Sequence, residues 1–565
     1  MTTSLPTAGK VPTVVVRRLT WGFATAAAFL LAVYASRYEG SAAHVLFSLL
    51  VASTIGAVIV LLARRVLVAL VLVTALLGVV VAVSIQKQQT MNMVLHAYDL
   101  FFYPASWSTL TFLWHSYRFY VVALLIAFVV TGLAVWFACR IDDTRIERRS
   151  AALAAIVFAS FAWVAAQAKS DRNDAQFFFD DLYVSSFFSS WSETLDTLWR
   201  GMLITAADTG DGRKLSAPAT CKPVRTPPNI VLIHHESAVP PALFSGLDYD
   251  RRLDTFFHSE DKKLHKLRVE TFGGASWLTE FSVLTGLSTY HFGGMRPFVQ
   301  PVMAGKLHDT LPQMLELCGY RNVLVYPMLR NFVSNGAFYD SIGITSVLDA
   351  EAQGAVAPNE RDEFYYHSAL DEMAQHFAVS ASPLFLYVQT QSTHGSYDFV
   401  YKPEVSVPGG GPGTDPEVSE YLRRLALSEV DYRFLKAELA RRFPDRSFII
   451  VRYGDHQPDI ARRMLGNPEE ATRMIRTKGS PAFLTYYAME TQNFRAAPLP
   501  GLEVVDVPYL GTIIMEAARL PLPESYRERK RLMTLCKGHY DGCPRDGEIL
   551  AFHRRLIDSG LMDPM

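Results

Sequence analysis

Five apolar stretches dominate the first third of the chain: Trp21 to Tyr34, His44 to Ala63, Val66 to Ile85, Tyr120 to Cys139 and Ala151 to Gln167. Each is close to the roughly 20 residues needed to cross a bilayer core. They show almost none of the polar striping that a helix in a soluble bundle turns toward water. From Asn229 onward the pattern changes to short apolar runs, NIVLIHH, NVLVYP, LFLYVQT, SFIIVRYG and AFLTYYAM. Several are apolar without alternation, as strands covered on both faces are. Between them, Leu278 to Gly286, Val418 to Arg442 and Asp506 to Leu520 have helical periodicity. Strands alternating with helices predict an α/β sandwich around a mainly parallel central sheet, with its site beyond the C-terminal strand ends.

The connections are distinct. Met91 to Tyr117 holds Phe101, Phe102, Tyr103, Trp107 and Trp114, which suits either a re-entrant or surface-lying segment at the bilayer interface or an exported loop with its own packing. Phe187, Trp191, Leu195 and Leu198 fall at helical spacing and predict an amphipathic connector. Asp208 to Pro228 reads as a linker, and Gly409 to Gly413 (GGGPG) as a mobile surface loop. The expected organisation is a transmembrane bundle over residues 1–167, connector and linker over 168–228, and a catalytic domain over 229–565.

Charge orients this arrangement. Arg17 and Arg18, Arg64 and Arg65, and Arg140, Arg145, Arg148 and Arg149 occupy alternate connections, so the positive-inside rule makes the N-terminus cytoplasmic and the part after the fifth crossing external. The N-terminal region lacks the pattern of a cleavable signal peptide, so the first helix is expected to stay as an anchor. The net charge of −1 over 565 residues offers no support for nucleic-acid binding. Cys221, Cys318, Cys536 and Cys543 lie in the part expected outside, where an even set suits disulfides. Cys536 with Cys543 is the local pair, leaving Cys221 with Cys318; four free thiols are the alternative. No zinc motif is present.

The polar residues at the strand ends carry the chemistry. Glu236 follows VLIHH, Asp455 and His456 follow FIIVRYG, and Ser276 lies in a Gly-Gly-Ala-Ser turn before a helix. Two carboxylates, an imidazole and a hydroxyl suit one divalent metal, Mn²⁺ or Zn²⁺, with Mg²⁺ less favoured by the histidine. A bound cation lowers a serine pKa, so Ser276 can be both ligand and nucleophile; Thr279 is the competing hydroxyl. Taken singly, such residues are often helix caps or ion-pair partners. His291 and His234 are further candidates, though a lone histidine beside apolar residues is more often simply packed.

HES, GGASWLTEFSVLTG, THG and YGDH, in this order after five apolar segments, resemble the lipoteichoic acid synthase branch of the alkaline phosphatase/sulfatase superfamily. That branch includes membrane phosphoglycerol transferases and has the phosphoethanolamine transferases as cousins. The resemblance implies Glu236, Ser276, Asp455 and His456 as metal ligands, Ser276 as nucleophile, and His394 as a phosphate-side hydrogen bonder or proton donor. The family hydroxyl is usually threonine, so serine is a conservative departure. No cysteine stands there, which disfavours a formylglycine sulfatase. A family tryptophan and arginine that grip glycerol phosphate match Val333 and Asn335 here, which leaves the head group open. Arg296 and Arg330, candidate replacement cations or else structural ion-pair partners, join Asn335 as substrate-binding candidates.

The expectation is a metal-dependent membrane transferase. It would move a phosphoglycerol or phosphoethanolamine head group from a membrane phospholipid donor, through covalent Ser276, to a glycan or lipid acceptor of the bacterial envelope. The alternatives are a phosphodiesterase or sulfatase-like hydrolase with water as acceptor, and a non-catalytic membrane scaffold.

Overall fold

The computed structural model describes residues 13–91, 93–102, 107–167, 182–217, 220–223, 225–330, 332, 335–356 and 360–564. The chain divides near residue 196 into two compact units. The first holds α1 (Thr13–Ser36), α2 (Ala42–Ala63), α3 (Val66–Met91), α4 (Ala97–Phe102), α5 (Trp107–Ile141), α6 (Arg148–Gln167) and most of α7 (Tyr183–Arg200). Among the described residues five helices, α1, α2, α3, α5 and α6, are long and apolar enough to cross a bilayer. They coincide with the five apolar stretches.

The basic segments of this unit meet at one end. Arg17 of α1 pairs with Asp143 at 2.8 Å, and Arg64 and Ile146 join the α2–α3 and α5–α6 turns, the Ile146 N–H donating to the Arg64 carbonyl at 3.2 Å. Asp142 accepts the Leu67 N–H at 2.8 Å, satisfying an orphan donor in the first turn of α3. The aromatic stretch 91–117 becomes the short α4 and the start of α5; Tyr103 lies outside the described residues. In α7, Tyr183, Val184 and Phe187 enter a core with Val80, Val81 and Val94, while Leu195 is exposed.

The second unit contains β1 (Asn229–His235), β2 (His265–Arg268), α8 (Ser276–Thr285), α9 (Val299–Met303), α10 (Leu311–Leu317), β3 (Arg321–Val325), α11 (Gly336–Ser341), β4 (Ser346–Leu348) and α12 (Asp362–Val379). It continues with β5 (Leu384–Gln389), α13 (Pro416–Arg442), β6 (Phe448–Gly454), α14 (Pro468–Arg476), β7 (Leu484–Gln492), β8 (Val504–Asp506), α15 (Leu510–Ala517), α16 (Glu524–Leu535) and α17 (Asp546–Asp558). All strands join one sheet in the order β4-β3-β5-β1-β6-β7-β2-β8. Only β7 runs against the rest.

β1 sits at the centre with β5 and β6 on either side. Every residue of these three strands is buried, which is why they read as continuous apolar runs. The charge within that core, Arg452, is 1% exposed and pairs with Glu490 at 2.9 Å while lying 4.0 Å from the Tyr432 ring centre. Side chains alternate along β1, so His234 and Glu236 share one face and His235 takes the other. The His235 face packs on α12 and α13 through Val231, Ile233, Tyr366, Leu370, Leu425 and Leu435.

The linker is irregular and anchored, with the Leu215 N–H donating to Ser559 Oγ at 2.7 Å and Asp211 paired with Arg555 at 2.9 Å. One loop expectation changes. The GGGPG stretch is packed against its neighbours. Gly410 bridges Tyr249, and a Cβ on Gly411 would meet the Asp248 carboxylate at 2.0 Å. Close approach of the Asp248 and Thr414 side chains and of Ser419 leaves little room for a Cβ at Gly409, Gly410 and Gly411.

Cys221 is bonded to Cys318 and Cys536 to Cys543, leaving Cys139 free. The sequence separations are 97 and 7 residues, so chain entropy makes the first the stronger staple. Opening Cys221–Cys318 with Cys→Ser variants should cost about 4–5 kcal/mol and opening Cys536–Cys543 about 2–3 kcal/mol. Denaturant unfolding of the two double variants checks the order.

Candidate functional site

The site lies at the C-terminal edge of the sheet, where β1, β5 and β6 end together. Glu236 leaves β1, and Asp455 and His456 leave β6. Asp455 is fully buried. Its Oδ1 accepts the N–H groups of Ser237 at 2.7 Å and His456 at 2.8 Å, so one carboxylate fastens both strand exits. Gly454 makes this approach feasible, because a Cβ there would lie 2.0 Å from the Ala238 carbonyl oxygen.

Ser276 is the first residue of α8. Gly273, Gly274 and Ala275 before it have φ of 73°, 152° and 61°, a tight turn pinned by Thr271 Oγ1 donating to the Gly274 carbonyl at 2.6 Å. The left-handed Ala275 costs about 1 kcal/mol. Its side chain caps nothing, so the amides of the first helical turn lack that partner and suit an anion. Ser276 Oγ donates to Glu236 Oε2 at 2.9 Å and lies 3.2 Å from His456 Nε2. His456 Nε2 lies 3.4 Å from Glu236 Oε1 and 3.3 Å from Asp455 Oδ2. Glu236, Ser276, Asp455 and His456 therefore converge. Thr279 is fully buried and donates to the Asp455 carbonyl at 2.6 Å, so its hydroxyl is spent on structure.

His234 joins this group. Its Nε2 lies 3.0 Å from Asp455 Oδ2, and its Nδ1 faces the hydroxyls of Tyr387 at 3.0 Å and Tyr453 at 2.8 Å. One ligand atom each from His234, Glu236 and Asp455 lies within 4.8 Å of the others. His234 is thus more than a packed side chain. Its signal in the sequence is its place two residues before Glu236 on a strand, which gives both the same face.

The electrostatics suit a cation. Burial pulls the His456 pKa down, but the Asp455 charge and the hydrogen bond and charge of Glu236 outweigh it and raise it to about 9. At His234 burial likewise pulls the pKa down, and the charge and hydrogen bond of Asp455 outweigh it and raise it. Burial would raise the Glu236 carboxyl, yet His456 holds it well below the usual carboxylate range. Asp455 Oδ2 and His234 Nε2 are buried, and among the described residues neither has a hydrogen-bond partner outside the ion pairs of this cluster. A carboxylate oxygen set between imidazole nitrogens and a second carboxylate fits a divalent cation of the kind that accepts both N and O donors.

His394 is exposed after β5, with Nδ1 2.8 Å from the Gly395 carbonyl oxygen, and its charge reaches Glu236. Glu280, one turn after Ser276, is an unforeseen member of the surroundings. It is 2% exposed and accepts from Gln389 at 2.7 Å, Gln300 at 2.8 Å and Tyr339 at 3.0 Å. Its pKa is raised by burial. Arg296 is buried, donates to the Glu270 carbonyl and, at 3.1 Å, to Thr289 Oγ1, and covers the Tyr290 ring. Arg330 pairs with Asp340. Asn335 is 1% exposed. Of these three, Arg296 and Arg330 are committed to protein partners. Val333 lies outside the described residues. His291 packs 4.9 Å from the His553 ring.

Residues 228–484, which span most of the α/β unit, match the Sulfatase family. A relative in Haemophilus influenzae, described as an uncharacterized protein, is 24% identical over 331 residues; the match covers 55% of this chain and 57% of that one, a little over half its length. Among solved structures, the phosphoglycerol transferase GacH of Streptococcus pyogenes in complex with sn-glycerol-1-phosphate is 14% identical. That match covers 62% of this chain and 97% of that one with a TM-score of 0.48. The integral membrane lipooligosaccharide phosphoethanolamine transferase A (EptA) of Neisseria meningitidis is 12% identical, covering 87% of this chain and 98% of that one with a TM-score of 0.45.

Two outcomes test this geometry. The raised His456 pKa gives the metal-free fold stability that is fully present below the ordinary pKa of 6.5 and is lost as pH rises through about 9. The melting temperature of chelator-treated protein should therefore fall across that window, and His456→Gln should flatten the fall. Gly454→Ala should destabilise by about 1–3 kcal/mol, read from the denaturant midpoint, because β6 and the chain after β1 must separate.

Proposed function

We propose that the protein is a metal-dependent membrane transferase that moves a phospholipid head group, phosphoglycerol or phosphoethanolamine, to a glycan or lipid acceptor through a covalent Ser276 intermediate. The observation that carries this reading is the half-buried Ser276 hydroxyl, held 2.9 Å from Glu236 and 3.2 Å from His456 at a helix start. The sulfatase-family match and the five membrane-capable helices support the substrate class.

Glu236, Ser276, Asp455 and His456 would hold the cation, with His234 beside them. A cation of the Mn²⁺ or Zn²⁺ kind would lower the serine pKa and polarise phosphoryl oxygens. Ser276 Oγ loses its proton to solvent and attacks the donor phosphorus, and the bond from phosphorus to the diacylglycerol oxygen breaks. Diacylglycerol leaves as the alcohol after taking a proton. In the second half the acceptor hydroxyl attacks the phosphoserine and gives up its proton, and Ser276 regains one. Donation of the Nδ1 proton of His394 to the Gly395 carbonyl leaves Nε2 free to pass a proton to the leaving oxygen and to take one from the acceptor. The uncapped amides of α8 face the anion. The basic segments gathered at one end of the first unit support a cytoplasmic N-terminus. Five crossings would then leave the site on the outer side of a bacterial cytoplasmic membrane.

Mass spectrometry of purified protein incubated with Mn²⁺ and mixed bacterial phospholipids tests the reading. Wild type should carry an adduct at Ser276 whose mass names the head group. Ser276→Ala should carry none and should release diacylglycerol at least about 10³-fold more slowly. Free head-group phosphate without transfer to an acceptor would favour a hydrolase. Absence of both the adduct and diacylglycerol would overturn the proposal.

A further inference from the structure

We propose that Arg424 of α13 is a positioning residue that orients His394 by gripping the backbone on both sides of the carbonyl to which the His394 ring is bonded; this rests on the role given above to His394. After Gln389 the chain has no regular element until Pro416. Carbonyls in such a segment find their donors outside a sheet or helix. Three of them find the same one. Arg424 donates to the His394 carbonyl at 2.6 Å, the Ser396 carbonyl at 2.7 Å and the Phe399 carbonyl at 3.3 Å.

Arg424 is itself 2% exposed. Its Nε donates to Glu420 at 2.8 Å, and Glu420 also accepts the Tyr401 N–H at 2.8 Å. The rings of Tyr397, Phe399 and Tyr401 lie 5.0, 4.9 and 5.1 Å from the guanidinium carbon. The loop from His394 to Tyr401 is thus wound around one buried cation. The geometry then acts on the ring. His394 Nδ1 is bonded to the Gly395 carbonyl, the one between the two carbonyls that Arg424 holds most tightly. Fixing that carbonyl fixes which ring nitrogen is free and where it points.

The start of the loop is held independently. Asp362 accepts the N–H groups of Gln391 at 3.1 Å and Ser392 at 2.8 Å, and Ser428 of α13 donates to Asp362. Arg424 therefore controls only the part that carries the imidazole. A lysine offers a point charge in place of a planar fork and cannot span the three carbonyls.

The test uses the full chain with Arg424→Lys, His394→Ala and the double variant. Arg424→Lys should melt cooperatively and bind Mn²⁺ as wild type does, because Glu236, Asp455 and His456 are on other segments. Its transfer rate at saturating lipid should fall about 100-fold with little change in KM. In the His394→Ala background the same substitution should cost less than about twofold, since it acts through His394. Equal losses in both backgrounds would overturn the proposal. Glu420→Gln, which loosens the guanidinium without removing it, should give a smaller loss with the same dependence on His394, and serves if Arg424→Lys does not fold. Hydrogen exchange separates this claim from the reaction. Even if wild type transfers nothing, amides from His394 to Tyr401 should exchange at least 10-fold faster in Arg424→Lys while those of Ser237 and His456 do not. Unchanged or uniformly faster exchange would overturn it.

Discussion

The Asp455 carboxylate is the constraint on which the rest of the site depends. It is an anion with no access to water, and such a group persists only where hydrogen bonds and positive charge replace its hydration. One oxygen is filled by the N–H groups of Ser237 and His456. The other has two imidazoles against it. The first set locks β1 to β6 at their exits; the second leaves a demand for positive charge that protons meet in the metal-free protein and a cation can meet in the loaded one. The raised pKa of His456 and the convergence of Glu236 and Ser276 are two expressions of that demand.

Much of this was legible in the chain because burial on both sides leaves a plain signature. The five long helices and β1, β3, β5, β6 and β7 appear as uninterrupted apolar runs. Glu236, Asp455 and His456 follow such runs directly, and Ser276 opens a helix after glycines, so their meeting at one sheet edge follows from a parallel α/β topology. β2, β4 and β8 carry no such signature. They are 4, 3 and 3 residues long, and three of the four residues of HKLR are polar, so pairing with neighbours far along the chain decides them.

Other features depend on contacts that composition does not encode. The glycines at 409–413 suggest freedom, yet they admit Ser419, Thr414 and Asp248 at distances no side chain allows. Arg296 has the chemistry of a phosphate ligand, but the Glu270 carbonyl and Thr289 occupy it. His234 resembles a packed histidine in sequence, and only the approach of Asp455 from another strand gives it a charged partner. Glu280 likewise gains meaning from Gln389, Gln300 and Tyr339, which are remote from it in the chain.

The residues clustered around Ser276 come from the ends of β1, β5 and β6 and from α8, whereas Arg330 and Asn335 belong to the excursion between β3 and β4. That excursion reaches α8 through two neighbours on α11: Tyr339, which meets Glu280, and Phe338, whose ring lies 5.8 Å from that of Phe281. One polar and one aromatic contact, both buried, form a shared seam between two parts of one domain. A change of packing at Phe338 or Tyr339 would therefore be felt in the helix that begins with Ser276 as well as in the excursion, so the two parts of the domain settle into place together.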